Sequence, residues 1–114
     1  MEVQIFGVKN DAATRKALRF FAERRAKVHF VDLKRRAASK GELRRFAQKF
    51  GVGALVNTSA KRYASLGLAH ASRSDDWWLA KLEDEPSLLT IPLVRYQQRL
   101  TLGVAEEEWR RWFS

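Results

Sequence analysis

The chain has 114 residues, enough for one domain with one core and too few for two of ordinary size. Nearly half of it is apolar, so folding needs no disulfides, and the absence of cysteine excludes thiolate chemistry and any Cys-ligated zinc or iron–sulfur centre. The formal charge of +9 is uneven: up to Arg62 there are 16 Lys and Arg against 5 Asp and Glu, and from Tyr63 onward 6 against 8, so the first half carries a field that can steer an acidic protein, a nucleic acid or an anionic membrane surface.

The first element expected is a short apolar strand over Val3–Val8, bounded by Lys9 and Asn10. From Asp11 the period changes. Ala17, Leu18, Phe20 and Phe21 form one face, with Arg15, Arg19 and Glu23 elsewhere, which predicts an amphipathic helix ending near Arg24 and Arg25, where cations suit the negative helix end. Val28–Leu33 reads as a second strand, so the first 33 residues form a βαβ unit with a parallel strand pair. Ser39-Lys40-Gly41-Glu42 is a capping box, followed by Leu43, Phe46, Ala47 and Phe50 at helical spacing and by Gly51 as C-cap. Residues 54–59 are expected as a loop into a short helix ending near Leu66 and Gly67. Ser72–Asp76 then opens a helix that carries Trp77, Trp78, Leu79 and Leu82 and stops at Pro86.

Beyond Pro86 the period returns to strands. Pro92–Arg95 and Arg99–Leu102 make a hairpin with Tyr96-Gln97-Gln98 as its tip and Gly103 closing it. Glu106, Glu107 and Glu108 open a final helix, acidic at its positive end, with Trp109, Trp112 and Phe113 as the buried side. The expected order is β-α-β-α-α-α-β-β-α in a single domain over 1–114, with a helical insertion over about 39–85. The segment Met1-Glu2-Val3-Gln4-Ile5 has neither the basic start nor the apolar run of a signal peptide. No apolar stretch approaches the roughly 18 residues of a membrane span, so a cytoplasmic protein is expected.

Few residues suggest chemistry on their own. His29 lies in a strand and His70 in a connection, with no carboxylate or thiol at ligand spacing, so no metal site is expected. Trp77 and Trp78 are adjacent and point about 100° apart, so one is a candidate exposed interface anchor. Arg35, Arg36, Arg44 and Arg45, with Lys34, Lys40 and Lys49, are interaction candidates. Phe46 and Phe50 face the core rather than interleaving with these cations, which favours an acidic protein over direct nucleic-acid binding.

Several stretches, taken in order, resemble the arsenate reductase-like (ArsC/Spx) family over the whole chain. They are Ile5–Asn10, Phe30–Lys34, Ala54–Ser59, Tyr63 with Leu66-Gly67-Leu68, Pro86-Ser87-Leu88 ahead of Ile91–Val94, and Leu102-Gly103-Val104 before Glu107-Glu108-Trp109. The Gly7–Asn10 opening and the Asn57-Thr58-Ser59 loop are most similar to the small glutathione-linked reductase-like branch and its regulatory relatives. The resemblance implies an α/β thioredoxin-like fold: a mixed four-stranded sheet with the insertion between its second and third strands, and a cis peptide at Pro92.

It also implies that the family's catalytic thiol falls on Asp11, and that its oxyanion-binding arginines fall near Asn57, Ile91 and Leu102, none of them basic here. A carboxylate at Asp11 suits an N-cap and would repel an incoming anion. Lys9, Asn10, Asp11, Arg15, Asn57, Ile91 and Pro92 are therefore ligand-binding candidates, with no catalytic residue assigned, and Lys61 and Arg62 are further cations expected to flank the pocket mouth. Two functions follow. One is a binding or regulatory module that has lost thiol catalysis, for which the regulatory relatives imply RNA polymerase as a partner. The other is a reductase-like enzyme to which glutathione brings the only thiol. No other cofactor is implied.

Overall fold

The computed structural model describes all residues, 1–114. In chain order the elements are β1 (Glu2–Gly7), α1 (Ala12–Glu23), β2 (Lys27–Asp32), α2 (Lys40–Phe50), α3 (Val52–Leu55), α4 (Lys61–Ser65), α5 (Asp75–Asp84), β3 (Leu93–Tyr96), β4 (Arg99–Leu102) and α6 (Glu106–Arg111). Short 3₁₀ turns occupy Leu68–His70 and Pro86–Leu88. These elements form two compact units, one of Met1–Arg36 with Ile91–Ser114 and one of Ala37–Thr90.

The first unit holds the sheet, in the order β2-β1-β3-β4. β1 and β2 run parallel, from Glu2 opposite Lys27 to Gly7 opposite Asp32, which is the pairing the βαβ pattern predicts. β3 lies antiparallel to β1, with Phe6 opposite Leu93, and β4 antiparallel to β3. This is the mixed four-stranded thioredoxin-like sheet expected from the resemblance.

One core packs α1 and α6 on this sheet. Val3, Ile5 and Val94 meet Ala17, Phe20 and Phe21 from α1 and Trp109 and Trp112 from the C-terminal segment. The Trp109 indole Nε1–H donates to Thr101 Oγ1 at 2.8 Å, which satisfies two buried polar groups together. Arg15, Arg19 and Glu23 are exposed, as the α1 periodicity requires. Arg24 ends the helix by donating from Nη1 to the Phe20 carbonyl at 3.0 Å, the cation-at-the-C-terminus role foreseen for it.

Two expectations for this unit change. Phe113 is exposed rather than buried, because α6 stops at Arg111 and the ring only reaches the outer sides of Phe20 and Phe21, with centroids 6.2 and 6.1 Å away. Tyr96 belongs to β3, where it pairs with Arg99, so the hairpin tip is the two residues Gln97 and Gln98, with Gln97 at φ 56°.

The second unit is helical. Ser39 and Glu42 form both halves of the capping box: the Ser39 Oγ accepts from the Glu42 N–H at 3.1 Å, and Glu42 Oε1 accepts from the Ser39 N–H at 2.9 Å. Ala38, Leu43, Phe46, Val52, Leu55, Leu68, Leu79, Leu82, Leu88 and Leu89 are its buried apolar residues. Ser74 caps α5 through the Trp77 N–H.

A further helical turn, α3, occupies the start of the expected loop. Gly51, at φ 84°, donates to the Ala47 carbonyl to end α2 and redirects the chain. Val52 and Leu55, three residues apart, then turn inward together. The Val56–Leu89 bridge and the Asn57 N–H donated to the Leu88 carbonyl at 2.7 Å tie the end of α3 to the end of the unit. The segment after Pro86 is likewise a 3₁₀ turn before any strand, since proline at a first helical position gives up only a donor that has no partner there. No helix is long and apolar enough to cross a membrane.

Candidate functional site

β1 ends at Gly7, and a turn closed by the Asp11 N–H donating to the Val8 carbonyl at 3.1 Å delivers the chain to α1. Asp11 is the N-cap, in an extended conformation. Its Oδ2 accepts from the Thr14 N–H at 2.8 Å and from the Thr14 hydroxyl at 2.9 Å. The capping role expected for Asp11 is therefore made, and doubled by a side-chain donor.

Thr14 is fully buried, and Gly7 makes room for it. A Cβ at Gly7 would fall inside the Thr14 side chain, 2.7 Å from its methyl group. Gly7, Asp11 and Thr14 thus form one interlocked corner. Thr14 was not among the candidates, although the Asp-x-x-Thr spacing is an N-cap and third-position pair that could have marked it.

The neighbouring strand end completes this edge of the sheet. With Phe6 opposite Leu93 in an antiparallel pair, the next residues along, Gly7 and Pro92, come to the same end. The Ile91–Pro92 peptide is cis, as the resemblance implies, and the Pro92 carbonyl accepts from the Gly103 N–H at 2.8 Å. The turn carrying Lys9 and Asn10 lies at this same sheet end, both residues being exposed; Arg15 follows on α1, also exposed.

Chemically, the corner presents a carboxylate already engaged by two donors, with no thiol anywhere in the chain. No group of three or more metal-binding side chains is assembled.

The remaining candidates lie in the other unit or elsewhere on the first. Asn57 uses its Oδ1 to accept from the Ser59 N–H at 3.0 Å, a local turn bond. Arg62 is committed to Glu85 through two bonds, at 2.8 and 3.2 Å, and this guanidinium holds the Glu85 carboxyl below its ordinary range. Lys61 is exposed.

The Arg44 guanidinium and the Lys40 ammonium converge on Asp76, at 3.3 and 2.8 Å, and lower its pKa, Lys40 having the larger effect. Arg35, Arg36 and Arg45 are exposed. Trp77 and Trp78 are both half-buried and stack edge to face, with centroids 5.1 Å apart, so neither stands out alone.

The ArsC family matches residues 6–112. Among solved structures, the arsenate reductase from Vibrio cholerae is 23% identical, covers 97% of each chain and superposes with a TM-score of 0.86. A Staphylococcus aureus protein is 24% identical, covers 98% of this chain and 99% of its own, with a TM-score of 0.81. An arsenate reductase related protein from Brucella melitensis is 20% identical over 100% of this chain and 96% of its own, with a TM-score of 0.71. No curated protein matches. At these identities the structures establish the fold, and the family match over nearly the whole length makes this chain a cysteine-free member of the ArsC family.

Proposed function

We propose that this protein is a binding module on a retired reductase scaffold, and that it engages an acidic protein partner. The observation that carries the reading is Asp11, whose carboxylate occupies the start of α1, the position where the family resemblance puts the thiol. A helix N-terminus that would stabilise a thiolate and an incoming anion is instead satisfied by the chain's own negative charge.

The charge distribution supports the choice of partner. The sheet-bearing unit has 14 Lys and Arg against 7 Asp and Glu, a balance of +7, whereas the helical unit has 8 against 6, a balance of +2. The helical unit also spends Lys40, Arg44 and Arg62 on its own carboxylates. Arg15 and Arg19 on the exposed side of α1, with Lys34 and Arg35 after β2, are among the exposed cations available to meet an acidic surface. RNA polymerase, implied by the resemblance to regulatory relatives, is one such partner to test.

The test is a nuclease-treated pull-down from host lysate at low and moderate salt, with the wild-type chain and an Arg15→Glu/Arg19→Glu variant. The proposal expects one near-stoichiometric partner that weakens as salt rises and is lost with the variant. Capture of nothing, or of a partner indifferent to both changes, contradicts it.

A further inference from the structure

Within the helical unit, α3, the loop after it, α4 and the start of α5 surround an open cavity of about 260 Å³. Val52 and Val56 give it aliphatic walls, Tyr63 and Trp78 aromatic ones, and Thr58 a hydroxyl. Arg73 and Asp75 line it with opposite charges. Neither is neutralised by an ion pair: the Arg73 guanidinium lies over the Trp77 ring at 5.2 Å, and the local cations Lys40 and Arg44 go to Asp76 instead.

Gly53 supplies a second, independent observation. It sits in the α3 turn, outside the left-handed region, and a Cβ built on it meets no atom within 4 Å. Neither backbone conformation nor close packing demands glycine at this position, and glycine is among the least favourable helix residues. Gly53 lines the cavity and contributes no side chain to its wall.

We propose that this cavity binds a free amino acid with a large apolar or aromatic side chain. The α-carboxylate is held by Arg73, the α-ammonium by Asp75, and the side chain sits among Val52, Val56, Tyr63 and Trp78. The volume falls below the roughly 300–1,000 Å³ of sites for drug-sized ligands, which suits a single amino acid. Two uncompensated charges of opposite sign select a zwitterion, since a simple anion would meet Asp75 and a simple cation would meet Arg73. Such a site would make the chain responsive to a metabolite, independently of the protein-partner reading.

The test is isothermal titration of the full chain with L-leucine, L-phenylalanine and L-tryptophan, and with their N-acetyl and carboxamide derivatives. Saturable one-to-one binding of at least one free amino acid is expected, with each derivative weaker by about tenfold or more, as loss of a charge-assisted bond implies. Arg73→Gln and Asp75→Asn should each weaken the free amino acid by about tenfold. Gly53→Leu should abolish binding while leaving the unfolding temperature unchanged or raised. Absence of saturable heat from all three up to about 10 mM, with the chain folded by circular dichroism, would overturn the proposal. So would derivatives that bind as tightly as the free amino acids, or binding that survives Gly53→Leu.

Discussion

Asp11 performs a structural task at the position where the resemblance expects a nucleophile, and its neighbours are shaped around that task. Thr14 reaches it with both a backbone and a hydroxyl donor, and Gly7 is small enough for Thr14 to be buried against it. Asp11→Ala should lower stability by about 0.5–2 kcal/mol, the usual cost of losing an N-cap, read as a shift in the urea midpoint. An unchanged midpoint would mean the carboxylate is not the cap that the geometry describes.

A second contrast lies in the tryptophans. The Trp109 Nε1–H is paired with Thr101, whereas the Trp112 Nε1–H is buried without a partner. Both lose similar volume on truncation to phenylalanine, so Trp109→Phe should be the more destabilising by about 1 kcal/mol, the net worth of one buried hydrogen bond. Equal effects would show that packing alone governs both positions.

Among the elements, those with strong local signals were legible in the sequence. β1, α1, β2, the capping box of α2 and the Ser74 start of α5 all follow from period and caps, and the structure keeps them within a residue or two. α3 was not legible, because four residues are too few for a helical period to register. Its cause is the turn at Gly51 together with the lacing of Val56 and Asn57 to Leu88 and Leu89, more than thirty residues away in sequence. The charges on α2 were likewise visible as a basic face, but Asp76 was not visible as the partner of Lys40 and Arg44, since that pairing depends on where α5 lands.

These ion pairs also give the helical unit a pH signature. Asp76 and Glu85 both have folded-state pKa values below their ordinary ones, so their contribution is present above the unfolded carboxyl range near pH 4 and is lost as pH falls through the folded values. Thermal unfolding followed from pH 7 to pH 3 should show a decline below about pH 4, and Asp76→Asn with Glu85→Gln should flatten it. Both carboxylates are at the surface, so the effect is modest and shrinks in high salt. A double variant with an undiminished acid limb would assign that limb to other groups.

For the molecule as a whole, fold and function separate. The sheet order and the family match over residues 6–112 both belong to a thioredoxin-like ArsC scaffold. Composition alone excludes a thiol, and the structure adds how the start of α1 is capped. The candidate site was partly legible: the turn of Lys9 and Asn10, the Asp11 cap and Pro92 come together at one end of the sheet, because strand register forces it. The destination of the net charge was less so. A count along the chain assigns it to the first 62 residues, whereas the fold returns Arg95, Arg99, Arg110 and Arg111 to the sheet-bearing unit and concentrates the excess there.

The most direct test of the account is glutathione-dependent turnover by the wild-type chain, measured with a small disulfide and with arsenate as substrates. The account predicts no rate above the uncatalysed reaction with either, because Asp11 fills the helix start and no residue can carry the thiol chemistry. Saturable turnover with glutathione, abolished by Asp11→Ala, would contradict it and establish an enzyme in which the substrate brings the only thiol.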